Sequence, residues 1–257
     1  RRMLGVMNAK NKKIRKKQYE DLLTVTHKTL NYANNAVSLL AAHPLKYFSP
    51  SKTAQDIAEE LKEIIRLTYK VIDQTTRRVI HGESVPAYEK IVSIFEPHTD
   101  IIVKDRRDTF YGHKVCLSGG ASNLITDCLI LDGNPADSDL TDQMLDRHEK
   151  IYGHYPLKVA LDGGFASKTN LESAKGKGIK DVCFAKKRGL EEDQMCRSTW
   201  VYKRLRRFRA GIESGISWLK RCFGLTRCTW KSLRSFNSYV WASIVSANFL
   251  TLARNGG

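Results

Sequence analysis

The chain has 257 residues, 42% of them hydrophobic, and a formal net charge of +16. That length and apolar content exclude a disordered chain and allow one large domain or two small ones, each with a core. The charge points to a polyanionic partner, nucleic acid before an anionic membrane, because neither a basic amphipathic anchor nor a lipidation motif is visible.

Residues 1–17 carry eight Lys or Arg and no acid. They read as a solvated charge run that also suits electrostatic attachment to phosphates. From Lys12 to Ala42, Tyr19, Leu22, Leu23, Leu30, Ala33, Val37 and Leu40 recur at three- and four-residue steps, which predicts a helix. The stretch His43 to Pro50 breaks it. A second helix is expected from a Ser51 or Thr53 cap through Ile57, Leu61, Ile65 and Ile72 to Gly82. Together, residues 10–82 predict an antiparallel helical hairpin. The chain starts at Arg1 without an initiator Met, inside a basic helical pattern. This raises the expectation that an upstream segment is missing.

The texture changes after Pro86, which sets a boundary between residues 1–90 and 91–257. Asp100–Lys104 reads as a short strand. Tyr111–Ser118 and Leu124–Leu131, with Gly119 and Gly120 between them, read as a hairpin. A helix follows from a Ser138 or Asp139 cap through Lys150. Leu157–Leu161 reads as an apolar strand running into Asp162-Gly163-Gly164-Phe165. A short helix over Ser167–Lys175, a strand over Ile179–Phe184, a basic loop, a helix over Arg209–Lys220 and a buried C-terminal helix complete the pattern. Antiparallel strands followed by strand–helix alternation indicate an α/β domain with a mixed sheet.

Cys116, Cys128, Cys183, Cys196, Cys222 and Cys228 form no CxxC pair and no zinc-spaced cluster. They read as reduced cysteines of a cytosolic protein. No signal peptide is visible, and the apolar stretch Phe236–Leu250 is too short and too polar to span a bilayer.

Two constellations carry chemistry. In the first, Arg209, Glu213 and Lys220 lie at offsets of −4 and +7 from the carboxylate. At 100° per residue these three side chains fall within roughly 40° of one another on a helix. Glu213 is also the only acid between Arg197 and Arg234. That suits a metal ligand beside a phosphate backbone; the competing reading is an i,i+4 salt bridge on a solvated face. In the second, Asp162 ends a buried strand ahead of two glycines, at the sheet end where α/β proteins bind ligands. Its competing role is the cap of the helix near Ser167. Trp218 and Trp230 could stack on a flipped base, but they read first as core packing.

Together these residues resemble insertion-sequence transposases of the DDE class, in the branch with an RNase H-like catalytic domain. Leu161-Asp162-Gly163-Gly164-Phe165 resembles that family's strand-end Asp motif. Arg209-x3-Glu213-x6-Lys220, continued by Arg221-Cys-Phe-Gly-Leu, fits its Tyr-Arg-Glu-Lys signature. The Tyr position holds Arg206, a departure, with Tyr202 one turn earlier. Gly112-His-Lys-Val and Gly133-Asn-Pro-Ala-Asp137 resemble the family's second and third strands and the loop after them. The resemblance covers about residues 100 to 250. It implies an RNase H-like mixed sheet flanked by helices, with the N-terminal helical hairpin as an insertion. It implies Mg²⁺ or Mn²⁺ held by Asp162 and Glu213, acting on DNA phosphodiesters at transposon ends and at target DNA. It assigns Arg206, Arg209, Lys220 and Arg221 to DNA phosphates. Self-association and a cytoplasmic, nucleoid-associated location follow from the same resemblance, with no membrane role.

The family's first Asp sits on the first strand of its sheet, ahead of the helical insertion, and no such strand precedes Arg1. This favours its absence from the chain, and little or no Mg²⁺-dependent cleavage. Asp100 is the best internal substitute, with Asp105 and Asp108 weaker. Two other functions stay open: another RNase H-like nuclease, and an inactive transposase remnant that only binds DNA.

Overall fold

The computed structural model describes residues 2–43, 53–104 and 108–255. The chain divides into two compact units, residues 1–112 and 113–257. It mixes helices with short strands, an α/β composition.

In the first unit the basic start is helical. Helix α1 spans Arg2–Met7, and α2 spans Lys12–Ala42 behind an Asn11 cap that accepts from the Ile14 N–H. Helix α3, Ala54–Thr75, opens on Thr53 with a reciprocal capping box to Asp56, which satisfies two end groups at once. Ser51, the other expected cap, lies outside the described residues. Leu40 packs with Ala54 and Ala58, while Leu30 packs with Ile65 and Ile72. The end of α2 therefore meets the start of α3, and the two helices run antiparallel as expected. A π turn, Thr76–His81, extends α3 to Gly82, whose φ of 77° is a left-handed stop. Strand β1, Asp100–Lys104, pairs antiparallel with β2, Asp108–Gly112.

Strand β2 corrects the expected Tyr111–Ser118 strand. Gly112, at φ 154°, ends β2, and the next strand starts only at Val115. What read as one strand is two, each in a different unit.

In the second unit β3, Val115–Gly119, pairs antiparallel with β4, Ile125–Ile130. Helix α4 (Thr141–Tyr152) leads to β5 (Lys158–Leu161), and α5 (Lys168–Gly176), capped by Ser167, leads to β6 (Asp181–Phe184). Strands β5 and β6 pair in parallel. After the short α6, Glu192–Met195, the long α7 spans Thr199–Cys222 and α8 spans Leu233–Asn255. Among the described residues the expected single mixed sheet does not form: the strands pair only as three separate two-stranded ladders, two antiparallel and one parallel. The core sits under β6, where all four residues are buried, and is completed by Met195, Val201 and Tyr202.

Two further expectations change. The basic segment before Arg209 is helix, not loop, because Val201, Tyr202 and Leu205 anchor one face of α7 in the core. The C-terminal helix is buried on one face only, through Val240, Ile244 and Ala247, while Trp241 and Phe249 are exposed. Trp230 is likewise exposed and edge-on to Tyr239. No helix of the described residues is long and apolar enough to cross a membrane.

Burial pushes the Cys116 and Cys196 thiols up to about 11 and those of Cys128 and Cys183 up to about 12. These four are protonated near neutrality, and all six cysteines are free, as expected.

Buried Asp127 accepts two hydrogen bonds from the Arg147 guanidinium, at 2.6 and 2.7 Å. Those bonds outweigh the opposing effect of burial and hold its carboxyl below the ordinary 3.8. A carboxyl lowered by folding contributes stability above its unfolded pKa and loses it as pH falls through the folded one. Denaturant unfolding is therefore expected to show stability falling below about pH 4, with a shallower fall in Asp127→Asn. Equal slopes in the two proteins would count against this pair as a source of the acid sensitivity.

Candidate active site

Asp162 stands at the C-terminal end of β5, where the strand becomes a 3₁₀ turn, Gly163–Phe165. Its Oδ1 accepts the Gly163 N–H at 2.5 Å, so Asp162 caps this turn, while Ser167 caps α5. The competing role as helix cap is thereby replaced by a local one that leaves the carboxylate facing outward. The turn is tightly constrained. Asp137 packs on Gly164 so closely that a Cβ there would collide with its Oδ2 and stand 2.9 Å from its Cβ. Lys114 holds Asp137 in place, reaching its Oδ1 and the Pro135 carbonyl, each at 2.6 Å.

Glu213 is on α7, one turn beyond Arg209. A single guanidinium nitrogen, Nη2 of Arg209, contacts Glu213 Oε1 at 2.7 Å and Asp162 Oδ1 at 3.0 Å. The two carboxylates are thus separated by no more than these two contacts laid end to end. The side chains of Asp162 and Glu213 are 57% and 59% exposed, whereas that of Arg209 is 18% exposed. A partly buried cation therefore sits behind two carboxylates that face solvent. The i,i+4 salt bridge expected as the competing reading of Glu213 is present.

All three line a cavity of about 440 Å³. The unbroken runs 114–120 and 158–162 line it too. Side chains alternate across a strand, so a cavity bordered by every residue of a run lies along the strand's edge and not over one face. Strand β3 bonds to β4 and β5 bonds to β6, and neither has a second neighbour among the described residues. Two unpaired strand edges therefore border one cavity, with α7 contributing Phe208, Ile212 and Ile216 to its wall.

Two carboxylates offering hard oxygens suit Mg²⁺ or Mn²⁺ as part of a ligand set. Among the described residues no group of three or more His, Cys, Asp or Glu side chains is gathered to hold a metal ion. Asp100 and Asp108 belong to β1 and β2 of the first unit, and Asp105 lies outside the described residues. Of the cations expected at DNA, Arg206, Lys220 and Arg221 are exposed on α7, while Arg209 is committed to the two carboxylates. Tyr202 is buried and donates to the Phe184 carbonyl at 3.3 Å, a structural role. Sequence reasoning missed Asp137 and Lys114 as cavity residues. The Gly133-Asn-Pro-Ala-Asp137 segment is the sequence signal for Asp137, and Gly112-His-Lys-Val for Lys114.

A family model for the transposase DDE domain matches residues 71–249. The chain belongs to the DDE transposase family. The match spans Asp162, Arg209, Glu213 and the cavity they line. No curated protein and no solved structure matches the chain. The transposase domain thus carries its two outward carboxylates on elements that the family model covers in full, β5 and α7.

Proposed function

We propose that the chain is an insertion-sequence transposase region with an RNase H-like fold, acting on the phosphodiesters of transposon ends and of target DNA. The observation that carries this reading is the Arg209 bridge between Asp162 and Glu213 at the edge of the cavity, within a chain of the DDE transposase family. Asp162 and Glu213 are the residues that would hold Mg²⁺ or Mn²⁺. When bound, the divalent ion supplies charge stabilisation and an activated oxygen nucleophile at the phosphodiester. Arg209 keeps two like charges together in its absence and orients both toward the cavity mouth. Arg206, Lys220 and Arg221 are exposed and take phosphate oxygens of the DNA. The transposase associates with itself to act on paired ends. A boundary near residue 90 separates the helical hairpin from the catalytic region.

The two free strand edges support the RNase H-like reading. One strand seated between β3 and β5 would join the ladders β3–β4 and β5–β6 into a single five-stranded mixed sheet. It would also bring its side chains beside Asp162, where a third carboxylate would complete the ligand set.

Duplex DNA carrying the element's terminal repeats tests the proposal. Mg²⁺-dependent end cleavage and strand transfer that disappear in Glu213→Gln support it, and cleavage without strand transfer points to a nuclease. Salt-dependent DNA binding with no metal-dependent cleavage, even in a polypeptide that also carries a carboxylate-bearing strand between β3 and β5, overturns the enzymatic reading and leaves a DNA-binding protein.

A further inference from the structure

We propose that the N-terminal half of α7 carries a second duplex-DNA site, formed by Trp200, Lys203, Arg204 and Arg207 and separate from the Asp162–Glu213 site. The inference rests on the DNA reading above for its choice of partner, and on independent observations for its location. At 100° per residue the four side chains fall within an arc of roughly 100°, whose centre lies about 130° around the helix from Glu213. All four residues are exposed, and Trp200 is 64% exposed. The opposite side of the same segment holds Val201, Tyr202 and Leu205 in the core. One helix therefore presents Glu213 and this cationic arc in different directions.

The fold gives these cations no acidic partner. Arg197 is held by buried Asp181, and Arg209 by Asp162 and Glu213. Lys203, Arg204 and Arg207 make no ion pair among the described residues, and no acid occurs between Asp193 and Glu213. Cations three and four residues apart on one helix face repel, at a few tenths of a kcal/mol per pair. A solvated face built only for solubility would intersperse acids. The unrelieved repulsion calls for a polyanion.

The aromatic residue sharpens the partner. The Arg204 guanidinium lies over the Trp200 ring, 5.4 Å from its centroid, a cation–π contact that joins the aromatic to the cationic arc. Lys203 and Arg207 stand one turn apart, about 6 Å along the axis, on the scale of neighbouring phosphates. The α7 N-terminus adds the positive end of a 24-residue helix to the same side. Because this arc faces away from Glu213, the DNA it holds is a segment other than the phosphodiester at the two carboxylates.

Fluorescence anisotropy of a labelled duplex with the full chain, across a salt series, tests the site. The triple variant Lys203→Ala, Arg204→Ala, Arg207→Ala is expected to bind on the order of 100-fold more weakly at 0.1 M salt, with a log–log salt slope shallower by about 2–3. Trp200→Phe is expected to lose most of the tryptophan quenching that DNA produces in the parent. Lys62→Ala, which removes an exposed cation of α3 paired with Glu59, is expected to leave slope and quenching unchanged. If the metal reading fails, Glu213→Gln leaves Mn²⁺ binding intact while the triple variant still loses DNA. An unchanged slope in a triple variant with parental circular dichroism overturns the site. So does a loss equal in size for heparin and for anionic vesicles, which would mark a polyanion surface without preference for a duplex.

Discussion

Asp162→Asn and Glu213→Gln are each expected to weaken Mn²⁺ binding by the full chain at least tenfold, whereas Arg209→Met is expected to strengthen it, on the order of tenfold. The opposite signs follow from the shared guanidinium nitrogen. Each carboxylate supplies oxygen donors that an amide replaces poorly, and a site with two carboxylates has no reserve. Arg209 occupies the charge role that the divalent ion would take, so ion and guanidinium compete. Two unit charges about 4 Å apart interact by about 1 kcal/mol in water, which doubles for a divalent ion. The carboxylates are more than half exposed, so the water-like value applies and not that of a dry interior. The repulsion is then somewhat above the 1.4 kcal/mol of a tenfold change. Methionine keeps much of the partly buried apolar stem while removing the charge. Electron paramagnetic resonance of free Mn²⁺ reads all three variants. Weaker binding in Arg209→Met would make the guanidinium a strut that aims the carboxylates and not a competitor. Unchanged binding in both carboxylate variants would place any metal elsewhere.

Local signals in the sequence read well where the physics is local. Thr53 and Ser167 behave as the helix caps their residue types favour, and Gly82 stops a helix at positive φ. The Arg209–Glu213 pair follows from i,i+4 spacing alone. The failures have physical reasons as well. Charge density over Lys203–Arg207 hid the apolar rhythm of Val201, Tyr202, Leu205 and Phe208, so a helix looked like a basic loop. Gly112 sits inside an unbroken strand-like stretch, and only its backbone angle separates β2 from β3. The Asp162–Arg209 contact, the Asp137–Gly164 packing and the two facing strand edges join residues 27 to 47 positions apart or more, which no window of periodicity reports. The residues of the candidate site were therefore readable one at a time. Their arrangement around one cation, and the strand-shaped space beside them, come only from the fold.

Phe184→Ala is expected to lower the stability of the second unit by about 3–5 kcal/mol. Phe184 is fully buried at the end of β6, in the cluster with Val182, Met195 and Tyr202. A stable domain has only about 5–15 kcal/mol in total, so this single cavity removes a large share. For a unit of this size the melting temperature should fall on the order of 10 °C. Phe184→Leu, which refills most of the volume, is expected to recover more than half of the loss. The effect should also reach the site. Phe184 lies opposite Leu161 in the parallel ladder, and its carbonyl receives the Tyr202 hydroxyl, which ties β6 to α7. Asp162 follows Leu161 and Glu213 is on α7, so this residue braces the two elements that carry the carboxylates. Phe184→Ala is therefore expected to weaken Mn²⁺ binding even at temperatures where the protein remains folded, with Phe184→Leu in between. A variant that melts early but binds Mn²⁺ as tightly as the parent would show instead that the Arg209 bridge alone sets the spacing of Asp162 and Glu213.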